Sequence, residues 1–425
     1  MLSENIIKTY EAILIEELVP AMGCTEPIAI AYAASILVDA LGCEPSEVCA
    51  SLSGNIIKNV KSVIVPATGG MHGIEAAIAA GMISATPSKR LEVLTELPAD
   101  AASRITDMLS RCPITVKKLN TSCTFDLILS GKCDTGEAKV HITGAHTNVV
   151  EVIARGENVT KKYIASTTSS GDFTTTDRSA LTVENIVNFA NEVKLDNLRP
   201  YLKRQIELNC AIAREGLTGD YGASIGKVIL GVGDDVSRRA RAYAAAGSDA
   251  RMSGCEMPVC IISGSGNQGI TASVPVVVYA EETEAREDKL LRALIVSDLV
   301  TIHQKTGIGT LSAYCGAISA GVGAGAGICY LLGGDYYLIA HTVVNAVAIL
   351  SGTICDGAKP SCAAKIAMAV EAGIMGYEMA KSGKQFYGGD GIVTKGVENT
   401  IRNVGKLAKD GMVETDKEII EIMLG

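Results

Sequence analysis

The sequence predicts an α+β protein in which a mainly helical catalytic domain, rich in small residues, carries a smaller inserted antiparallel α+β domain. Apolar stretches with helical spacing occupy both ends of a chain that has 44 glycines, four phenylalanines and no tryptophan. Between about residues 88 and 170, period-two alternation broken by Gly, Asp and Asn turns replaces that pattern. We therefore expect a discontinuous helical domain, 1–87 and 171–425, and an inserted domain, 88–170.

Composition limits the classes of protein that the chain can belong to. Its 425 residues are enough for two domains, and a net charge of −9 without any basic block argues against a nucleic-acid partner. The first residues lack the apolar core of a signal peptide, so we expect a cytoplasmic protein. In that compartment the thirteen cysteines are expected to be reduced thiols or metal ligands rather than a disulfide framework.

Two stretches without charge, 306–334 and 336–355, raise the alternative of membrane helices. They are rich in Gly, Ser, Thr, Asn and His, and they lack a tryptophan belt and flanking Lys or Arg residues. We therefore expect buried helices and no membrane span.

The first helices of the chain place a cysteine at a turn. Residues 4–19 have helical spacing, and a second helix is predicted from Thr25, as its N-cap, to the glycine stop at Gly42. Cys24 then lies just outside a helix N-terminus, where the helix dipole favours a thiolate. A small buried thiol is the alternative, and the residues alone favour neither.

A short strand from Val48 leads into two polar segments that are predicted as loops. The run Gly54-Asn-Ile-Ile-Lys-Asn and the turn Thr68-Gly-Gly-Met-His-Gly concentrate backbone N–H donors, amides and a lysine. Such a loop can bind a carboxylate, although an ordinary connection is equally compatible with the residues. The candidate substrate-binding residues here are Asn55, Lys58, Asn59 and His72.

The inserted domain and the helices after it follow in order. Strands are predicted at 114–119, 125–129, 138–143 and 148–155, with a helix from 91–111 packed on them. Helices are predicted again at 183–194, 197–214, 220–247 and 285–304, the last of which carries His303.

Glycines alternate with polar residues in the run Gly264-Ser-Gly-Asn-Gln-Gly. This pattern predicts a nest of N–H donors for an anionic ligand, with a structural turn as the alternative. The run is neither a Walker loop nor a dinucleotide fingerprint. Its candidate substrate-binding residues are Ser265, Asn267 and Gln268.

Three cysteines of the C-terminal half lie at predicted helix starts. Cys355 and Cys362 flank a tight turn before a strongly helical run, and Cys315 follows Ser312 by three residues. Three thiolates directed from helix starts suit an anionic metal centre of the iron–sulfur type. Zinc sites usually contain Cys-x2-Cys pairs, which this chain lacks, and no lysine lies in a recognisable pyridoxal phosphate (PLP) site.

Five motifs carry a resemblance to a known family: Met22-Gly-Cys-Thr-Glu-Pro, Gly54-Asn-Ile-Ile-Lys-Asn, Gly264-Ser-Gly-Asn-Gln-Gly-Ile, Cys315-Gly-Ala and Cys355-Asp-Gly-Ala-Lys-Pro-Ser-Cys362. They resemble the L-cysteine desulfidase family, which is related to the catalytic chain of iron–sulfur L-serine dehydratases. The likeness spans about residues 10–405. The resemblance implies a PLP-independent enzyme with a [4Fe-4S] cluster. Its expected reaction converts L-cysteine and water to pyruvate, ammonia and hydrogen sulfide.

The resemblance also implies residue roles. The cluster ligands would be Cys315, Cys355 and Cys362. Cys24 matches the family's N-terminal cysteine, proposed as the catalytic base or as a residue beside the cluster, and His72 and His303 are the alternative bases. The six residues between the last two cluster cysteines are fewer than in the dehydratases, and no regulatory domain of the dehydratase kind is recognisable. Both departures favour a desulfidase over a serine dehydratase.

Two rival functions remain open at this level. One is an iron–sulfur dehydratase of serine or another β-hydroxy acid, and the other is a non-catalytic membrane or iron–sulfur scaffold protein. The expected partner is a small amino acid substrate, and the sequence leaves a homo-oligomer open.

Overall fold

The structure, a computed structural model, describes residues 2–164, 176–309 and 311–424. In these residues the chain is mainly helical and contains a small mixed sheet, which confirms the predicted α+β class. The predicted boundary between 170 and 171 lies outside the described residues. The division into 1–87 with 171–425 and 88–170 therefore stays a prediction.

The helices, numbered in chain order, fill most of the described chain. They are α1 Glu4–Glu17, α2 Thr25–Leu41, α3 Gly54–Val60, α4 Gly73–Ser84, α5 Ala101–Arg111, α6 Val183–Glu192, α7 Arg199–Thr218, α8 Ile225–Leu230, α9 Val236–Met252, α10 Gly266–Glu282, α11 Glu287–Ile308, α12 Gly316–Leu331, α13 Tyr336–Leu350, α14 Cys362–Lys381, α15 Val397–Lys406 and α16 Val413–Leu424. The strands are β1 Pro20–Met22, β2 Glu47–Leu52, β3 Ile114–Lys118, β4 Asp126–Cys133, β5 Gly136–Thr143, β6 Val149–Ala154, β7 Glu157–Asn158 and β8 Pro258–Cys260.

Helices α12 and α14 cross at glycines, as the abundance of small residues predicts. A Cβ atom at Gly321 would lie 2.2 Å from the carbonyl oxygen of Ala369, and one at Gly373 would lie 2.1 Å from that of Gly321. Only glycine allows the two backbones to approach so closely. Since Cys315 directly precedes α12 and Cys362 begins α14, this crossing helps to fix the separation of the two cysteines.

The larger sheet has the strand order β3-β2-β4-β5-β6-β7 and is mixed. Its neighbouring strands run antiparallel except β2 and β3, which are parallel. The expectation of a purely antiparallel sheet therefore needs correction at this pair. The segment from β2 to β3 contains α3, α4 and α5, which provides the long crossover that a parallel pair requires. Residue alternation located the strands but could not identify β2, which precedes residue 88, as a member of this sheet.

Helix α2 packs on the inner face of the sheet and connects it to the rest of the molecule. Leu127, Leu129 and Val140 on that face are fully buried. Just beyond the end of α2, Cys43 forms a disulfide with Cys133 at the end of β4. This bond departs from the expectation of reduced thiols, because the sequence does not reveal that these two ends meet.

Two segments that were predicted as loops are helical. The Gly54–Val60 segment is helix α3, because burial of Ile56 and Ile57 outweighs the weak helix propensity of its glycine and asparagines. The glycine-rich run around Ser265 is a turn followed by the start of α10, whose N-cap is Ser265 itself. Similarly, Cys24 and not Thr25 is the N-cap of α2.

Helices α12 and α13 lie within the two stretches without charge and are joined by a short turn. Within residues 2–164, 176–309 and 311–424, no helix combines the length and the apolar character needed to cross a bilayer.

Candidate active site

One cavity of about 110 Å³ gathers most of the predicted site residues. It lies between the starts of α2 and α10, the end of α9, the β5–β6 loop and the segments that precede α12 and α14. The predicted site residues that line it are Cys24, Asn59, Ser265, Asn267, Gln268, Cys315, Cys355 and Cys362. Residues from distant parts of the chain thus line one cavity.

Backbone pairing brings two of the three candidate cluster cysteines side by side. The N–H of Cys315 donates to the carbonyl of Thr353 at 3.0 Å, and the N–H of Cys355 donates to that of Ala313 at 2.6 Å. Cys362 begins α14, and its thiol lies 3.8 Å from the carbonyl oxygen of Gly357. Three separate segments therefore direct thiols to one wall of the cavity.

The surroundings of Cys315 and Cys362 oppose free thiolates. Burial and the neighbouring Cys355 together raise the pKa of the Cys315 thiol to about 12. Burial likewise raises the pKa of Cys362. Burial lowers the pKa of the Lys305 ammonium to about 8, against the opposing effect of Cys355 and Cys315. Coordination to a metal centre would stabilise the thiolates of Cys315 and Cys362 and so offset the effect of burial on these two thiols.

Cysteine thiols are the ligands that iron–sulfur clusters use, so the three thiols are of the right chemical type for such a cluster. In the described part of the chain, no three His, Cys, Asp or Glu side chains converge as the ligands of one metal ion must. In an iron–sulfur cubane each thiolate binds its own iron, so the thiols stay apart. Cys315, Cys355 and Cys362 would then hold three irons and leave the fourth without a protein ligand.

A hydrogen-bonded group surrounds Glu26 at the start of α2. The thiol of Cys24 donates to Glu26 Oε2 at 3.3 Å, the hydroxyl of Thr25 donates to the same oxygen at 3.1 Å, and Asn59 Nδ2 donates to Oε1 at 3.0 Å. Burial raises the pKa of Cys24 well above its ordinary value. The thiol is therefore protonated in the structure and acts as a hydrogen-bond donor to the carboxylate.

Glu26 is ionised although it is buried. Burial alone would raise the pKa of its carboxyl, but a charged His146, hydrogen bonds from its own backbone and from Cys24, and the charge of Arg251 lower it. Burial, however, lowers the pKa of His146 and keeps that ring neutral. We therefore attribute the ionised state to the hydrogen bonds and to Arg251, whose guanidinium is always charged.

Several buried polar atoms that belong to the lining residues have no hydrogen-bond partner among the described residues. They are Asn59 Oδ1, His146 Nε2, Arg251 Nε and Nη2, and Gln268 Oε1. Buried polar atoms are normally paired, so such a group in one cavity indicates a site built for a polar ligand.

Glu26, His146, Arg251 and Lys305 line the cavity and are not among the predicted site residues. Glu26 lies within a recognised motif, where the sequence indicates only an acidic residue in the first turn of a helix. Arg251 ends a run of small residues, 244–250, and an arginine after such a buried run is the signal that could have identified it. His146 lies in the β5–β6 loop, where the sequence indicates no more than a turn.

The remaining predicted residues lie outside the cavity. Asn55 Nδ2 donates to Asp416 at 2.6 Å, and Lys58 pairs with the same carboxylate and donates to the carbonyl of Cys355 at 3.2 Å. His72 is the exposed N-cap of α4. His303 contacts Glu398 at 2.7 Å.

Comparison with known proteins identifies the class. Residues 88–421 match the family model described as the serine dehydratase alpha chain. The match covers most of the sequence, so the chain belongs to this family of lyases, whose members are typically iron–sulfur enzymes.

Close relatives define the group more narrowly. A UPF0597 protein of Desulfitobacterium hafniense is 55% identical over 99% of this chain and 97% of its own length. UPF0597 proteins of Lachnoclostridium phytofermentans and Treponema denticola are 47% and 45% identical, over 97% and 98% of this chain and 98% and 97% of their own lengths. The chain therefore belongs to the UPF0597 proteins.

Proposed function

We propose that this chain is a cytoplasmic, PLP-independent [4Fe-4S] L-cysteine desulfidase, a carbon–sulfur lyase that converts L-cysteine and water to pyruvate, ammonia and hydrogen sulfide. The observation that carries the proposal is the meeting of Cys315, Cys355 and Cys362 with Cys24 and Glu26 around one buried cavity. Membership of an iron–sulfur lyase family supports the reaction type, and cysteine as the substrate is our inference.

In the proposed reaction the cluster would stabilise the leaving group, and side chains of the protein would remove the α-proton. When bound, a [4Fe-4S] cluster supplies a Lewis-acidic iron that stabilises the departing sulfide. Cys24 is the proposed base: its thiol would first lose a proton to water, and the thiolate would then remove the α-proton of the substrate and become a thiol again. Glu26 would stay ionised throughout. The electrons of the Cα–H bond form a carbon–carbon double bond as the C–S bond breaks. The released aminoacrylate then hydrolyses in water to pyruvate and ammonia.

The other candidate residues divide into two groups in this proposal. Asn59, Ser265, Asn267 and Gln268 line the cavity and would contact the substrate. Asn55 and Lys58 would act indirectly, because Lys58 holds the carbonyl of Cys355 while both residues bind Asp416. His72 stays a prediction that the cavity lining does not support.

A dehydratase acting on L-serine is the alternative, favoured by the description of the matching family. The test measures pyruvate and sulfide formed from L-cysteine, and pyruvate formed from L-serine, by protein that was purified and reconstituted with iron and sulfide without oxygen. We expect a higher kcat/KM for L-cysteine. A higher value for L-serine would overturn the desulfidase assignment in favour of the dehydratase.

A further inference from the structure

We infer that the cavity recognises the zwitterion of an α-amino acid, with Arg251 binding the α-carboxylate and Glu26 together with Asn59 binding the α-ammonium. The inference rests on the proposed function and names the residues that select its substrate.

Arg251 presents an unused edge for a carboxylate. The residue is 2% exposed, and its Nη1 donates to Asn267 Oδ1 at 3.1 Å, while Nε and Nη2 have no partner in the part of the chain that the structure describes. Nε and Nη2 form one edge of the planar guanidinium, which can bind both oxygens of a carboxylate at once. Because a guanidinium cannot be neutralised, burying this edge without an anion is costly. A substrate carboxylate would remove that cost.

The start of α10 adds to this carboxylate site. A Cβ atom at Gly266 would lie 2.4 Å from Arg251 Nε, so only glycine leaves room for the guanidinium against the first turn. The N-cap Ser265 makes no side-chain hydrogen bond to that turn. The first N–H groups of a helix have no partner within the helix and favour an anion. The guanidinium edge and the positive end of a 17-residue helix therefore lie at the same place.

Glu26 and Asn59 provide the matching site for an ammonium group. Asn59 Nδ2 donates to Glu26 Oε1 at 3.0 Å, which fixes the other amide atom, Oδ1, as an acceptor. That Oδ1 is buried and has no partner. Glu26 is the one carboxylate among the described lining residues, and an ammonium can donate to both of these acceptors. The cavity thus contains separate sites for a negative and a positive group.

The test measures binding without chemistry, on the full chain prepared without oxygen. Calorimetric titration gives Kd values for L-alanine, which has both charges and no leaving group, for propionate and for ethylamine. In the unchanged protein we expect L-alanine to bind at least about tenfold more tightly than either fragment. Arg251→Met should weaken L-alanine binding to the level of ethylamine and leave ethylamine unchanged. Glu26→Gln should weaken L-alanine binding to the level of propionate.

Controls separate a binding role from a structural one. Arg241 also lies on α9, pairs with Glu371 at 3.1 Å and does not line the cavity, so Arg241→Met should leave the Kd of L-alanine unchanged. Arg251→Lys keeps the positive charge but loses the pair of N–H donors that can bind both oxygens of a carboxylate. It provides a second variant if Arg251→Met does not fold. It should also weaken L-alanine binding and leave ethylamine binding unchanged.

Two results would overturn the assignment. One is an unchanged Kd for L-alanine in a folded Arg251 variant, and the other is an equal loss for L-alanine and ethylamine. Absence of L-cysteine turnover, together with Arg251-dependent binding of L-alanine, would instead refute the desulfidase proposal and support the zwitterion site.

Discussion

The thiol of Cys24 lies 3.3 Å from Glu26 Oε2, and both side chains are buried at the start of α2. Because burial keeps the thiol protonated, the hydrogen bond runs from sulfur to the carboxylate. The carboxylate therefore favours the protonated thiol, and Cys24 must lose that proton to water before it can act as the base that we propose.

Replacement of Cys24 by Ala should abolish turnover and preserve the cluster. The proposed base is removed, and general-base catalysis typically contributes about 10²–10⁴-fold to a rate. Pyruvate formation and the visible absorption of the iron–sulfur cluster are measured on the same preparation. Loss of the cluster together with activity would make Cys24 a ligand and contradict its role as base.

Replacement of Gly373 by Leu should disturb the cluster through helix packing alone. The added side chain meets the backbone of Gly321, so α12 and α14 must separate at a cost of roughly 1–3 kcal/mol in the free energy of unfolding. Iron content should fall, because Cys315 and Cys362 lie at the starts of these helices. Met375→Leu changes an exposed position of α14 and serves as the control. Full iron content in the Gly373 variant would show that the crossing does not position the cysteines.

Asp298 should make stability depend on pH. It is fully buried, Gln205 donates to its Oδ1 at 2.9 Å, and Oδ2 has no partner. Burial raises the pKa of this carboxyl to about 8. Between about pH 4 and that value, the folded chain holds a proton that the unfolded chain releases. The free energy of unfolding should therefore fall as pH rises, by at most about 1.4 kcal/mol per pH unit.

Asp298→Asn removes this contribution. Urea unfolding of both proteins at several pH values from about 5 to 8 gives the difference in free energy. The free energy of unfolding of the variant, relative to that of the unchanged protein, should increase as pH rises. Parallel pH profiles for the two proteins would contradict a proton held by Asp298.

The ion pair between Lys58 and Asp416 should stabilise the loop that carries Cys355. The Lys58 side chain is 1% exposed, lies 2.5 Å from Asp416 Oδ1 and also donates to the carbonyl of Cys355. Asp416→Asn leaves this buried charge without its counter-ion and should cost about 1–3 kcal/mol in chemical unfolding. Lys417→Met, which removes an adjacent exposed charge, should have little effect. Equal unfolding midpoints for the two variants would exclude a stabilising role for the buried pair.

The sequence was sufficient for the part of the site that depends on local structure. Cys315 and Cys362 could be assigned to helix starts because caps, glycines and helical runs are local signals. Asn267 and Gln268 were identified for the same reason, although their segment begins a helix and is not an open nest.

Tertiary contacts account for what the sequence could not provide. His146 reaches the cavity from a sheet loop only because Gly264 leaves space for its ring, where a Cβ atom would lie 2.9 Å from Cε1. Arg251 follows a helical run whose burial depends on four other helices, α7, α8, α10 and α14. The parallel pairing of β2 with β3 likewise depends on a crossover connection of more than 60 residues. None of these features leaves a periodic pattern in the residues involved.

The central claim is tested most directly by sulfide and pyruvate release from L-cysteine in the anaerobically reconstituted protein and in its Cys355→Ala variant. Cys49→Ser, at a half-buried free thiol of β2, is the matched control. We predict release by the unchanged protein and by the control, and loss of both cluster absorption and release in the Cys355 variant. Release that persists in the Cys355 variant, or a protein that never acquires a cluster, would contradict a cluster-dependent desulfidase.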